Sequence, residues 1–216
     1  MNRPEGAIAA REGICFKLWE NLGDPAAWLA CDRSNPARTV AHAAIATTAL
    51  LRKGALTVAE VGPGPGFDIR GIAEPLLQAG VIASYTAYEG CRGFHDILVE
   101  RFGSIPGVRI VHGGFTDLTA YDITYTKATL EHQADLTPLR RLLEATRVLS
   151  VVSWYLVPSE KEALHYSKRE RMHYNRYSKH SVQKVASKAG FSVCELLLPV
   201  PGAVYLFTRE REGKPT

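Results

Sequence analysis

The stretch VAEVGPGPG, from Val58 to Gly66, constrains the fold of this chain more than any other. A short apolar run reaches an acidic residue, Glu60, and passes straight into Gly62, Gly64 and Gly66. Apolar residues followed by clustered glycines describe a buried strand that turns sharply into a helix. Glycine tolerates positive φ there and lets a ligand approach the backbone. The N–H groups at the start of the following helix face the same ligand. A nucleoside bound on the loop after this strand is the expectation.

The rest of the chain alternates strand and helix patterns around that unit. Residues 13–54 read as helical, with Phe16, Trp19, Leu22, Trp28 and Leu29 in a partly amphipathic opening. Asn35-Pro36 breaks this segment, and an alanine-rich helix former runs from Thr39 to Lys53. Strands are predicted at Leu56–Val61, Ile82–Tyr88, Val108–His112, Asp122–Thr126 and Val151–Val157. Helices are predicted at Asp68–Gln78, Arg92–Phe102, Leu136–Leu149 and Ser178–Ala189. The third of these shows Leu139, Leu142, Leu143, Ala145 and Val148 at helical spacing. A final pair of strands, Ser192–Leu198 and Ala203–Thr208, is joined by Pro199-Val200-Pro201-Gly202, too short for a crossover, so the two run antiparallel to each other. The expected fold is α/β: a doubly wound, Rossmann-like, seven-stranded and mostly parallel sheet with an antiparallel last strand, plus N-terminal helices. The organisation reads as a helical cap over residues 1–54, a cofactor-binding domain over 55–210 and a polar tail over 211–216.

With 46% hydrophobic and 22% charged residues the composition is that of an ordinary globular domain. No apolar run approaches the ~20 residues of a membrane span, and the opening MNRPEGAIAAREG lacks a long apolar core; a soluble, cytoplasmic protein is expected. Cys15, Cys31, Cys91 and Cys194 are scattered without a CxxC pair, which points to reduced structural thiols and to no metal site. The net charge of +4 is uneven, with basic residues recurring from Lys161 to Lys188 among His165, His173, His180, Tyr166, Tyr174 and Tyr177. Such a run suits either a solvated face or a surface for an anionic substrate or RNA.

Two nucleoside cofactor classes use the glycine loop of a doubly wound sheet. The dinucleotide fingerprint GxGxxG fails in both registers, since Phe67 or Ile69 stands where its third glycine belongs. The pattern that fits is acidic-x-Gly-x-Gly-x-Gly. In this order of motifs the chain resembles class I S-adenosylmethionine-dependent methyltransferases, particularly the small-molecule, type 11-like kind with a Glu-His pair after the fourth strand. The resemblance covers about Thr57 to Arg209.

It implies S-adenosyl-L-methionine as cofactor and assigns roles by position. Glu60 would help hold the amino-acid part of the cofactor. Gly62, Pro63, Gly64 and Gly66 would bring backbone to its methionine and ribose. Glu89, with Gly90, ends the second strand, where a carboxylate suits the vicinal ribose hydroxyls. After the third strand the family often has Gly-Asp contacting adenine; here the chain reads HGGFTD, Gly114 standing for that Asp, with Phe115, Thr116 and Asp117 as the substitutes. In YDITYTKATLEHQAD, Thr126, Lys127 and Ala128 sit at the carboxyl end of the fourth strand, and Glu131-His132 matches the Glu-His pair. The usual Pro-Gly-Gly turn before the fifth strand is missing.

Methyl transfer needs alignment of the acceptor and removal of a proton where the acceptor carries one. His132 is the candidate base; the alternative is a structural residue that shapes the pocket floor through a backbone hydrogen bond. His165 and His173 are further imidazoles on the segment after the fifth strand, and Tyr174 and Tyr177 there are candidate substrate contacts. The (Asn/Asp)-Pro-Pro-(Tyr/Phe) motif of amino-group methylation is absent after the fourth strand. The leading expectation is a methyltransferase acting on a small-molecule acceptor, most simply at oxygen. A methyltransferase on RNA or another anionic polymer, a non-catalytic cofactor-binding module and a dehydrogenase are the alternatives.

Overall fold

The computed structural model describes residues 36–52, 54–168, 172–198 and 202–209. The expected opening helix with Trp19 and Trp28, Cys15 and Cys31, Arg169 and Arg171, and the polar tail lie outside them. The first described element is helix α1, Pro36–Leu51. Strand β1 is Leu56–Val61, followed by a π-helical turn at Ile69–Ala73 and helix α2 at Glu74–Gln78. Strand β2, Ile82–Glu89, helix α3, Arg92–Phe102, and strand β3, Val108–His112, complete one half. The other half holds β4, Tyr121–Lys127, a short 3₁₀ turn at Leu130–His132, α4, Thr137–Glu144, and β5, Thr146–Trp154. Then come β6, Tyr166–Ser167, β7, Met172–His173, α5, Lys179–Lys188, β8, Phe191–Leu197, and β9, Ala203–Arg209.

Seven strands form one sheet in the order β3-β2-β1-β4-β5-β9-β8. Pairs among β1 to β5 are parallel, and β9 runs antiparallel to both β5 and β8. The strand order reverses between β1 and β4, and a ligand crevice opens outside the carboxyl ends of the strands at such a switch point. Side chains alternate across a strand, so each strand feeds two cores. Leu56, Val58, Tyr85, Ala87, Ile123 and Tyr125 pack under α1, the π-helical turn and α3. Ala59, Val61, Tyr88, Val152 and Trp154 pack under α4 and α5. Helix α1 buries Ala37, Ala41, Ile45 and Ala49, a stripe of mostly small side chains that lets it lie against β5, β9 and the π-helical turn.

Three elements depart from the sequence expectation. The helix expected to run to Leu149 stops at Glu144, and β5 begins at Thr146 rather than Val151. Ala145 and Val148 fit a helical stripe, but the β-branched Thr146 pairs with Tyr121 and Leu149 with Ile123 on β4. The Thr146 hydroxyl also closes the helix by donating to the Leu142 carbonyl at 2.6 Å. The stretch TRVLS is therefore strand, and Ala145 alone makes the turn. At its other end β5 stops at Trp154 instead of Val157 because the Glu131 carboxylate takes the N–H groups of Tyr155 and Leu156. The helix expected over Asp68–Gln78 is broken by the π-helical turn, since Pro75 has no N–H to continue the α-helical ladder.

The third departure lies between β5 and α5, where the chain folds back as a narrow two-stranded strap. Ser159 N–H donates to Tyr177 O at 3.1 Å, Ala163 and Arg176 exchange hydrogen bonds of 2.8 and 2.9 Å, and Tyr174 N–H donates to His165 O at 2.9 Å. Beyond them β6 pairs with β7. Cys91 and Cys194 are free thiols. Among the described residues no helix is long and apolar enough to cross a membrane.

Candidate functional site

The glycine loop leaves β1 at the switch point. Gly62, Gly64 and Gly66 all have positive φ, +72°, +56° and +87°, a region costly for residues with a Cβ. Their surroundings differ. A Cβ on Gly62 would lie 2.6 Å from Thr129 Oγ1, and one on Gly66 would lie 2.5 Å from the Phe102 ring. A Cβ on Gly64 would meet nothing within 4 Å. Packing therefore demands glycine at 62 and 66, whereas Gly64 presents bare backbone to open space. The turn is closed by Gly66 N–H donating to Pro63 O at 3.1 Å.

Glu89 stands at the carboxyl end of β2, and its two oxygens are divided between motifs. One accepts the Gly64 N–H at 3.0 Å and the other the Cys91 N–H at 2.7 Å. Burial pushes its pKa up to about 7, against the pull of those N–H groups. Gly90 is half-buried, and its carbonyl accepts from His112 Nε2 at 3.2 Å. After β3, Asp117 turns back on its own loop: its Oδ2 accepts the Gly114 N–H at 2.8 Å and the Thr116 hydroxyl at 3.2 Å. Phe115 is buried in the core, and Thr116 is exposed.

Glu60 is not on the surface of the crevice. It is 1% exposed, and Tyr85 donates to it at 2.6 Å. Burial, and next the charge of Asp68, push its pKa up to about 8. The strand period explains this: Glu60 follows Leu56 and Val58 onto the α1 face, beside Tyr85. Its carboxyl thus lies in the core, not on the crevice surface where a direct contact to the amino-acid part of a ligand was expected.

What lies at that end of the sheet is a cluster the sequence reading missed. Asp68 is buried just after the loop, and three side chains reach it: the His42 imidazole through Nε2 at 2.7 Å, and two cations, Arg38 Nε at 3.1 Å and Lys127 Nζ at 3.4 Å. Burial alone would raise the pKa of Asp68; the His42 hydrogen bond with the Lys127 and Arg38 charges holds it below the usual value. Arg38 also stacks over Phe67, 5.1 Å from the ring centre. The signal was present in α1: Arg38 and His42 stand four apart in an otherwise apolar, alanine-rich helix. Lys127 is followed by Ala128 with φ +50°, the one described non-glycine residue at positive φ, a strain common at functional sites.

Thr126 points the other way. It is fully buried, and its hydroxyl donates to Val61 O at 2.8 Å, tying β4 to β1 beneath the loop. It is a support, not part of the crevice surface.

Beyond β4, the chain turns through Leu130–His132. The Glu131 side chain is buried, which raises its pKa, and its Oε1 accepts from Tyr155 and Leu156 N–H at 2.9 and 3.4 Å. His132 is half-buried, with Nδ1 2.9 Å from the His173 carbonyl. A carbonyl only accepts, so Nδ1 carries the hydrogen and Nε2 is the basic nitrogen of the neutral ring. The Tyr174 ring stands edge-on to the imidazole, centroids 5.4 Å apart. Tyr177, expected beside it as a substrate contact, is instead buried at 2% exposure. Its hydroxyl donates to Gln133 O at 2.7 Å, and its ring packs edge-on against Trp154. The three-residue advance from Tyr174 to Tyr177 along the strap separates a half-buried residue against His132 from a core residue. Asn175 between them, also missed in the sequence, is 1% exposed.

No protein-family model matches the sequence, and no curated protein matches it. The fold does match solved structures. The 1,6-didemethyltoxoflavin-N1-methyltransferase of Burkholderia thailandensis, solved with 1,6-didemethyltoxoflavin and S-adenosylhomocysteine, is 16% identical with a TM-score of 0.68, over 98% of this chain and 94% of that one. The magnesium protoporphyrin IX methyltransferase of Synechocystis PCC 6803, with bound S-adenosylmethionine, is 14% identical with a TM-score of 0.58, over 97% and 100%. The N-methyltransferase NodS of Bradyrhizobium japonicum, with S-adenosylhomocysteine, is 12% identical with a TM-score of 0.57, over 91% and 99%. The seven-stranded sheet with its antiparallel β9 is the Rossmann-like fold shared by these S-adenosylmethionine-dependent methyltransferases.

Proposed function

We propose that this chain is an S-adenosylmethionine-dependent methyltransferase that transfers a methyl group to a small-molecule acceptor, most simply at oxygen. The observation that carries the reading is Gly64: bare backbone at positive φ, facing open space at the switch point, with its N–H on the Glu89 carboxylate. The residues present fit the cofactor. Glu89 retains lone pairs on both oxygens for a ribose diol. Gly64 lets the ligand approach the loop. Arg38 and Lys127, both partly exposed and gathered on Asp68, suit an amino-acid carboxylate. Bound there, S-adenosylmethionine supplies an activated methyl group on its sulfonium.

The protein's own task is then to orient the acceptor and take its proton. His132 Nε2 is the base in this reading, with Nδ1–H anchored on His173 O. Tyr174 would flank the acceptor, and exposed Tyr155, Leu164 and Tyr166 on the same segment favour an apolar one. The N1-methyltransferase of like fold solved with 1,6-didemethyltoxoflavin bound supports the same class. RNA remains the competing acceptor; Lys179 of the basic segment is already paired with Glu195 at 2.9 Å, and a polymer reader would lose affinity steeply as salt rises.

Calorimetry with S-adenosylmethionine, S-adenosylhomocysteine and NAD tests the reading. Binding of the first two without NAD is expected; tight NAD binding with no response to S-adenosylhomocysteine would overturn it. Once an acceptor is in hand, His132→Ala is expected to lower turnover roughly 10²–10⁴-fold while sparing cofactor affinity.

A further inference from the structure

A proton acceptor built on histidine works only if one ring nitrogen is reserved for the reaction and the other is held by the protein. Here the hold is a backbone carbonyl, that of His173, on a strap forty-one residues further along the chain. That carbonyl is useful only if the strap stays in register with the loop bearing His132. The residue that sets the register is Asn175.

Every hydrogen-bonding group of Asn175 apart from its own carbonyl is engaged, and its partners bracket the histidine. Its backbone N–H donates to the carbonyl of Glu131 at 2.8 Å. Its side-chain Nδ2 donates to the carbonyl of Gln133 at 2.8 Å and to the Tyr177 hydroxyl at 3.3 Å. Its Oδ1 accepts the backbone N–H of His165, on the opposite strand of the strap, at 2.9 Å. So Asn175 grips the carbonyls on both sides of His132 with one hand and the far strand of the strap with the other. His173, two residues earlier, is thereby placed with its carbonyl on Nδ1, and Tyr174 with its ring on the imidazole edge. Burial makes the grip tight, because a sealed amide that lost these partners would leave polar groups unsatisfied.

We infer that Asn175 is a positioning residue of this site: by clamping the strap to the peptide carbonyls flanking His132, it fixes the imidazole as the Nδ1–H tautomer and presents Nε2 as the base. The inference rests on the reading of His132 given above, yet its test needs neither acceptor nor cofactor. Asparagine is suited to the place because a single planar group offers a donor to Gln133 O and an acceptor to His165 N–H. Tyr177 shares the Gln133 carbonyl and the backbone N–H of residue 175 keeps the Glu131 carbonyl, so Asn175→Ala releases only the side-chain ties to Gln133 O, the Tyr177 hydroxyl and His165 N–H.

The test is ¹⁵N-detected NMR of the histidine rings, recorded above the pH at which His132 is protonated. In the wild-type protein His132 is expected wholly as the Nδ1–H form; an Nε2–H ring would overturn the geometry outright. Asn175→Ala is expected to turn this single form into a mixture of tautomers. Tyr177→Phe, which removes another hydrogen bond to the same Gln133 carbonyl, is expected to leave the tautomer unchanged. A single Nδ1–H form in Asn175→Ala, or equal mixing in both variants, would show Asn175 to be ordinary scaffold. Should the alanine variant not fold, Asn175→Ser with its smaller loss is read the same way. S-adenosylhomocysteine titrations on the same samples keep the two ideas apart. Failure of the wild-type protein to bind would remove the proposed function while leaving the tautomer result standing.

Discussion

The two walls of the crevice are held by different means. On the β1–β2 side the loop is shaped mainly by backbone: three glycines at positive φ and a turn closed by Pro63 and Gly66, with Glu89 joining loop to strand end and Arg101 donating to Pro65 O. On the β4–β5 side, side chains reach far along the chain to grip backbone: Glu131 takes the N–H groups of Tyr155 and Leu156, His132 takes His173 O, and Asn175 takes Gln133 O. The first wall is fixed by what its residues lack, the second by what they extend. A wall of the first kind tolerates no added atom at Gly62 or Gly66, while Gly64 faces open space. A wall of the second kind depends on its side-chain donors and acceptors.

The sharpest way to break the contrast is within the glycine loop itself. Gly66→Ala puts a Cβ 2.5 Å from Phe102 and 2.6 Å from Leu98 at a φ of +87°. Overpacking and the left-handed conformation together are expected to cost about 3 kcal/mol of stability or more. Gly64→Val meets only open space in the protein, so its stability cost is expected to stay near ~1–2 kcal/mol, the cost of the left-handed backbone. Its S-adenosylhomocysteine binding should nevertheless vanish. Thermal unfolding and calorimetry on both variants check the difference. Equal losses of stability would mean that Gly64 is no more open than its neighbours.

The buried carboxylate beneath the loop gives a pH signature. Glu60 has a folded-state pKa of about 8 against an ordinary value of 4.5. The native state therefore binds the proton more tightly than the unfolded chain. That stabilisation is complete below about pH 4.5 and is lost as pH rises through about 8, an effect on the order of a few kcal/mol. Glu60→Gln keeps an acceptor for Tyr85 and removes the titration. Its melting temperature should fall less between pH 5 and 9 than that of the wild-type protein, as followed by circular dichroism. Parallel curves would show that Glu60 stays ionised in the core.

Much of this was legible in the sequence, and the part that was not has a common cause. The alternation of strand and helix and the glycine loop are local patterns, and Val58, Gly62, Gly64 and Glu89 stand where those patterns put them. Ala145 and Val148 misled because they satisfy a helical stripe and a strand equally, and only pairing with β4 decides. Glu60 sits in the motif, but its burial depends on which face of β1 it falls. Asp68, Arg38 and His42 come from three turns of two helices, and Asn175 meets residues 131 and 133 across some forty positions. Contacts of that span show in the sequence only as isolated polar residues, such as Arg38 and His42 four apart in α1, and nothing local names their partner.

Glu89 tests how much the first wall depends on its carboxylate. Glu89→Ala removes the acceptor for the Gly64 N–H as well as for a ribose diol. S-adenosylhomocysteine affinity is expected to fall by ~1.5–3 kcal/mol, the range for hydrogen bonds to a charged group. Because burial raises its pKa to about 7, wild-type affinity should also weaken as the pH drops below that value and the carboxyl gains its proton. An unchanged dissociation constant in a folded Glu89→Ala variant would take this residue out of the site.

The smallest effect is expected where the two walls meet, at the cations gathered on Asp68. Arg38 comes from α1 and Lys127 from the end of β4, and both side chains are partly exposed, 16% and 18%. Screening by water limits what such charges contribute, so each alone is expected to be worth about tenfold in affinity, ~1.4 kcal/mol. The informative quantity is a ratio. S-adenosylhomocysteine carries an amino-acid carboxylate, while 5′-deoxy-5′-methylthioadenosine has the same adenosine and sulfur without it. Arg38→Ala and Lys127→Ala should each weaken the first ligand and leave the second untouched, and the double variant should bind the two more nearly alike. Loss of both ligands to the same degree would mean that the cations act only by docking α1 against the loop through Asp68. In that case the carboxylate would have to be held by backbone N–H groups of the glycine turn, and the first wall would be built on backbone throughout.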